Sequence, residues 1–173
     1  STGGRRALSR EIEASHDEAM DELSTILRDQ AGVVSRTQVH DAGLAPHDLK
    51  RMLRRRELAT VHPGVYVEHT GPLTWLQRAW AAVLYVGPGA ALTHSSAVRM
   101  AEGPGRRGAD ERVIEVAVDT RHHQNAPAGV RIRRTRGLAG RLQPNLSPPR
   151  VRYDDAVLDV ALAALRLKRA LGE

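Results

Sequence analysis

Ser35-Arg-Thr-Gln38, Pro46-His-Asp-Leu-Lys-Arg-Met-Leu-Arg-Arg-Arg56 and Leu58-Ala-Thr-Val-His-Pro-Gly-Val-Tyr-Val67 decide the reading of the fold. The first quartet matches a capping box. A serine at the N-cap accepts from the N3 amide, and the N3 glutamine accepts from the serine's own amide. It predicts a short helix ending near Ala42-Gly43. Pro46 suits the first position of the next helix, because its fixed φ is already helical, and Asp48 sits near that helix's positive end. This third helix is read to about Arg56, with Leu49, Met52 and Leu53 spaced i, i+3, i+4 as its buried stripe. Leu58–Val61 and Val65–Glu68 have strand composition. Between them, His62-Pro63-Gly64 meets the demand of a type II turn, so the pair reads as a β-hairpin.

Upstream, His16 to Gln30 reads as a first helix, with Met20, Leu23, Ile26 and Leu27 on one face. Ala31-Gly32 closes it, Gly32 as its C-cap, and Val33-Val34 is a short extended piece. Helix, short strand, helix, turn, helix, hairpin is the order of a winged helix-turn-helix domain.

Downstream, Gly71-Pro72 marks a boundary. Thr74-Trp75-Leu76-Gln77 is a second capping box, opening a helix to about Val86, and Thr93 is read as the N-cap of a short helix to Met100. Glu102–Asp110 is a Gly- and Arg-rich loop. Val113–Asp119 and Val130–Arg136 are strands joined by a long hairpin loop that holds His122 and His123. Leu138–Arg150 reads as irregular, and Tyr153-Asp154-Asp155 opens a strong helix to Leu171. The expected fold is α+β: a winged helix-turn-helix at 16–70 and a small α/β module at 71–173. Residues 1–15 are expected to be disordered or an appended end outside the fold.

Composition narrows the function classes. The 173 residues contain no Cys, which removes a disulfide scaffold, thiolate zinc sites and a cysteine nucleophile together. No apolar run approaches the ~18 residues of a membrane span, and Ser1–Arg10 lacks the apolar middle of a signal peptide. A cytoplasmic protein with no membrane partner is expected. The net charge is +6, and it is unevenly spread. Ser1–Val34 is net acidic, whereas Lys50–Arg56 and Arg131–Arg136 concentrate cations. Such asymmetry points to a polyanion as partner.

Each candidate site has a plain alternative beside it. His47, Lys50, Arg51, Arg54 and Arg55 lie off the apolar stripe of the third helix. A helix with a guanidinium-rich outer face can lie in the major groove, where Arg reaches guanine O6/N7 or grips phosphate; otherwise the face is merely solvated. The turn residues His62 and Gly64 suit phosphate or minor-groove contact, or form an ordinary exposed turn. Arg131, Arg133, Arg134 and Arg136 would extend the basic surface, contact an acidic protein, or protect an edge strand by charge. Adjacent His122 and His123 cannot converge on one ion, and no metal site is expected. Ser95 and His94 lack a visible acid and a strained Gly-x-Ser-x-Gly elbow, so no catalytic residue is assigned. No cofactor is expected.

Ala31-Gly-Val-Val-Ser-Arg-Thr-Gln-Val39 through Arg54-Arg-Arg-Glu-Leu-Ala-Thr-Val-His-Pro-Gly-Val-Tyr-Val67 resembles the N-terminal domain of AbiEi-family antitoxins. So do Leu73-Thr-Trp-Leu-Gln-Arg-Ala-Trp-Ala-Ala-Val83 and Leu92-Thr-His-Ser-Ser-Ala97, and Asn145–Asp159 looks like the joining segment of the actinobacterial branch. The resemblance implies a winged-helix DNA-binding regulator of a type IV toxin–antitoxin system, which represses its own operon and has a nucleotidyltransferase-like toxin as partner. It also places the winged-helix roles on Arg36, Thr37 and Gln38 and on His47 to Arg55; Ser35, which opens the same helix, is counted with them as a DNA-binding candidate. Many relatives carry a C-terminal domain resembling very-short-patch-repair endonucleases. Residues up to Glu173 hold no counterpart, so the chain is read as a short or truncated form with no enzymatic role.

The function expected is therefore sequence-specific binding of double-stranded DNA as a repressor of antitoxin type. The alternatives are a protein-binding module that docks an acidic partner, and the DNA-targeting part of a longer nuclease-like protein. Asp154–Leu171 is apolar nearly all round. It is either the core of the second module, packed on Val113–Asp119, or an interface, for self-association as a homodimer or for contact with a further domain.

Overall fold

A computed structural model of the chain describes residues 2–68, 71–104 and 112–172, with side chains from residue 5 onward. The expected loop Glu102–Asp110 lies mostly outside the described residues. The chain divides into two compact units, Ser1–Gln77 and Arg78–Glu173. The division falls later than Gly71-Pro72. Thr74 and Gln77 do form the expected capping box, and the Gln77 side-chain amide still donates to the Ala31 carbonyl at 3.2 Å, inside the first unit.

In the first unit, α1 (Thr2–Asp29) precedes β1 (Val33–Ser35), α2 (Arg36–Asp41) and α3 (Pro46–Arg54), and the hairpin β2 (Ala59–His62) and β3 (Val65–Val67) follows. The strands form one antiparallel sheet in the order β1-β3-β2, so β1 pairs with the far strand of the hairpin. Ala19, Leu23 and Leu27 of α1 close over Val34, Val39, Leu49, Met52, Leu58 and Tyr66 to make the core.

The expectation of disorder through residue 15 is corrected, because α1 starts at Thr2. Its first half buries no apolar stripe, and Leu8 and Ile12 remain exposed. It is helical on local grounds: Arg, Ala, Leu and Glu are good helix formers, and no proline interrupts them. Ser9 adds a hydrogen bond to the Arg5 carbonyl. Apolar periodicity detects a helix that packs, and this half does not.

The junction of α1, β1 and α2 is a polar knot. Ser35 Oγ accepts from the Gln38 amide at 3.1 Å, and Gln38 Oε1 accepts from the Ser35 amide at 3.0 Å, which completes the capping box. Gln30 and Gln38 exchange side-chain amide hydrogen bonds of 2.8 and 3.0 Å, and Gln30 also donates to the Val33 carbonyl. After α2, Gly43 turns the chain at φ 101°. A Cβ there would meet the Ala19 Cβ at 3.4 Å, so glycine allows both the turn and the close approach to α1.

In the second unit, α4 (Trp75–Val86, its body from Arg78) leads to β4 (Ala91–Leu92), α5 (His94–Glu102), β5 (Ile114–Asp119) and β6 (Val130–Thr135). A 3₁₀ turn at Leu138–Arg141, β7 (Leu142–Gln143), β8 (Arg150–Val151) and α6 (Tyr153–Leu171) complete it. The sheet order is β6-β5-β4-β8-β7.

The expected β5–β6 hairpin is wrong, because the two strands pair in parallel from Ile114↔Val130 to Asp119↔Thr135. The connection 120–129 is long enough to carry the chain back along a six-residue strand. It is pinned on the way: His122 bonds the Val86 carbonyl, Gln124 donates to the Tyr85 carbonyl, and Arg134 donates to the His122 carbonyl. Within Leu138–Arg150, read as irregular, two short strands form.

Thr93 stands at the N-cap of α5, but its hydroxyl faces His94 Nδ1 and caps nothing. The cap comes from across the sheet. Glu115 Oε2 accepts from the Ser95 amide at 3.2 Å and the Ser95 hydroxyl at 2.6 Å, while Glu115 Oε1 holds Arg133 at 2.8 Å and Arg131 at 3.4 Å. Burial alone would raise the Glu115 pKa. The hydrogen bonds from Ser95 and Arg133 and the charge of Arg133 outweigh it and hold the carboxyl below its ordinary value.

Two outcomes follow from these polar centres. Gln30→Leu strands the Val33 carbonyl and half of the Gln38 amide, and is expected to cost the first unit about 1–3 kcal/mol in urea unfolding, against about 1 kcal/mol for Ser35→Ala. Glu115 is more acidic folded than unfolded. Its contribution is therefore complete above the ordinary carboxylate range and lost as pH falls through the depressed folded value. Urea midpoints measured from neutral pH into acid should show this loss in the native protein, and it should be absent in Glu115→Gln.

Candidate nucleic-acid interface

Leu49 and Met52 are buried and Leu53 is half-buried, which seats α3 on the core. His47, Lys50, Arg54 and Arg55 are exposed on its other side. A helix held by one face with cations on the opposite face is what the spacing predicted.

Asp48 plays a larger part than its sequence position suggested. It is buried, and its Oδ2 accepts from the Ala45 amide at 3.0 Å, closing the start of α3. Its Oδ1 holds Arg51 at 3.1 Å and approaches His47 Nε2 at 3.5 Å. Arg51 is thus a half-exposed ion-paired arginine, unlike its neighbours Lys50 and Arg54. Around the same helix end, a groove of about 850 Å³ is bordered by His47, Asp48 and Arg51 on one side and by Glu11, Ile12 and Asp17 of α1 on the other. The acidic first helix thereby flanks the start of α3, while Arg54, Arg55 and Arg56 gather towards its end, Arg55 loosely paired with Glu57 at 3.9 Å.

That end carries Arg56, which the sequence reading counted in the charge run but did not assign a role. α3 stops at Arg54 with Arg55 as C-cap, and Arg56 takes a left-handed φ of 60°. Glycine is the usual residue there. An exposed arginine at a backbone angle that favours glycine is a feature that sequence spacing alone does not give.

The four residues at the start of α2 divide. Ser35 and Gln38 spend their side chains on the capping box and the Gln30 pair. Thr37 is exposed. The Arg36 guanidinium donates to the Tyr66 hydroxyl at 3.0 and 3.2 Å, and the Arg36 amide donates to the Gly64 carbonyl at 2.8 Å. This last bond fastens the hairpin tip to the start of α2. Gly64 turns at φ 76° with open space around it, and the ladder slips by one residue between Thr60 and His62. Burial lowers the His62 pKa, which favours the neutral ring.

The secondary basic surface reads differently once folded. Arg131, Arg133 and Arg134 lie on β6 and Arg136 just beyond it, all in the second unit. Arg131 and Arg133 converge on Glu115, and Arg134 is directed to the carbonyls of His122 and Gln124. Three of the four therefore serve the unit's own structure, and Arg136 alone of them stands exposed without such a bond among the described residues. The sequence missed this because the anion that collects them sits on the neighbouring strand.

No helix of the described residues is long and apolar enough to cross a membrane. No curated protein matches the chain. Residues 21–69, which run from the middle of α1 through the hairpin, match the sequence model of the family described as transcriptional regulator, AbiEi antitoxin.

Proposed function

We propose that the protein is a sequence-specific, double-stranded-DNA-binding transcriptional repressor of antitoxin type. In this reading α2, the Ala42–Ala45 turn and α3 act as a helix-turn-helix with the β2–β3 hairpin as its wing. The observation that carries it is the outer face of α3. Lys50 and Arg54 project from a helix whose opposite face is locked into the core, and Arg55 and Arg56 are exposed just past its end. The family match over 21–69 supports it, since that segment spans all of these elements. Lys50 and Arg54 take the base-reading or phosphate roles in the major groove. Arg51, tethered to Asp48, orients the helix start. Thr37 and Arg36 meet the backbone beside it, and the hairpin tip at Gly64 reaches an adjacent phosphate or minor groove. The protein binds DNA without cleaving it and needs no cofactor. A nucleotidyltransferase-like toxin is the class of protein partner that goes with an antitoxin.

The competing idea, a module that docks an acidic protein through β6, is weakened by Glu115, which already neutralises Arg131 and Arg133.

Gel shifts on the protein's own promoter test the proposal. Lys50→Ala/Arg54→Ala is expected to lose about 1–3 kcal/mol for each base contact removed, or to lower the salt slope by about one for each phosphate contact removed. Unchanged affinity with an intact circular dichroism spectrum would refute the role of α3. Arg56→Gly separates binding from folding: it should leave stability unchanged or raise it by up to about 1 kcal/mol by relieving a left-handed arginine, while weakening DNA binding. Plasmid incubated with the purified chain and Mg²⁺ or Mn²⁺ should remain uncut.

A further inference from the structure

α6 is not the core of its unit. Of its apolar residues only Ala156 is fully buried, in the face that packs on α5. Leu158, Leu162 and Leu165 are 61, 50 and 58 % exposed. With Ala161 they make one continuous stripe at i, i+3, i+4, i+7, on the side of the helix away from Ala156. Single exposed leucines are ordinary, but three at this spacing on one helix face form a contiguous apolar patch of the kind that marks an interaction surface.

The charges at the two ends of the stripe say what covers it. Asp154 lies one turn before Leu158, on the same face, and Arg169 lies one turn after Leu165. Both are exposed, and neither is held in an ion pair among the described residues. The neighbouring Asp155 and Asp159, in contrast, are paired with Arg141. The pattern is its own complement when reversed. About a midpoint between Ala161 and Leu162, Leu158 and Leu165 are equidistant, and so are Asp154 and Arg169.

We infer that α6 pairs with α6 of a second copy of this chain, antiparallel about a two-fold axis through that midpoint. In the pair, Leu158 packs against the partner's Leu165, the two Leu162 side chains meet near the axis, and Asp154 faces the partner's Arg169 at both ends. A two-fold pair of this kind is isologous, with the same patch used twice. The apolar stripe supplies the attraction, and the end charges set direction, because a parallel pair would place Asp154 on Asp154 and Arg169 on Arg169. If the DNA-binding reading holds, such a pair carries two copies of the N-terminal unit, as dimeric readers of two-fold operators do. The pairing itself does not depend on that reading.

Sedimentation equilibrium of the full chain without DNA, at tens of micromolar, tests the inference independently of any operator. The expected species is a dimer of the 18.9 kDa chain. Leu162→Glu, at an exposed position, should give a folded monomer. Asp154→Arg should weaken the dimer roughly tenfold by setting like charges at both ends, and Asp154→Arg/Arg169→Asp should restore it. Circular dichroism checks that each variant is folded. A folded native chain that stays monomeric, a dimer indifferent to Leu162→Glu, or a folded double exchange that fails to recover would each overturn the antiparallel α6 pair.

Discussion

Gln30 and Gln38 donate to one another's side-chain carbonyls, and between them they also satisfy the Val33 carbonyl and the Ser35 amide. A buried amide of this kind is costly unless all its groups are paired, and here every one has a partner. The end of α1, the strand β1 and the start of α2 therefore hold one arrangement. The direction of α2 sets the turn at Gly43, that turn sets where α3 emerges, and the Arg36 amide returns a bond to Gly64 at the tip of the hairpin. The hairpin tip is thus held by the junction itself through the Arg36 amide, and the basic face of α3 is placed by a junction that shares no hydrogen bond with it.

The second unit is organised on the same principle with an ion in place of an amide. Glu115 gives one oxygen to the α5 N-terminus and the other to two arginines of β6. The helix α5, the strand β5 and the edge strand β6 are thus tied to a single carboxylate. The arrangement also accounts for a basic edge strand that is largely neutralised where it faces the sheet. The favourable pairing of a helix N-terminus with an anion is met here by a residue distant in sequence.

The elements legible in the sequence were those whose stabilising contacts are local. Both capping boxes, at Ser35 and Thr74, form as read, and so do the apolar stripe of α3 and the Pro63-Gly64 turn. Strand direction was not legible: Val113–Asp119 and Val130–Arg136 carry no mark that distinguishes a hairpin from a parallel crossover, and pins at Tyr85, Val86 and His122 decide it. The geometry of the candidate surface was legible to the same extent. Spacing placed Lys50, Arg54 and Arg55 on an open face, but the tether of Arg51 to Asp48, the left-handed Arg56 and the capture of Arg131 and Arg133 by Glu115 arise from contacts or backbone angles that spacing does not encode. For α6 the apolar circumference was visible, while the choice between core and surface rested on how little of it α5 covers.

The first half of α1 has a spectroscopic consequence. From about Arg5 to Ser15 it is a solvated helix that contributes no side chain to the core, so nothing but its own hydrogen bonds opposes fraying. Helices of this kind lose structure gradually with temperature, whereas the packed remainder melts as a unit. Ellipticity at helical wavelengths will consequently drift well before the cooperative transition, and amides in this half will exchange with deuterium long before those of Leu23 to Leu27. A melting curve read by ellipticity alone would blend two processes, one of which involves no tertiary structure at all.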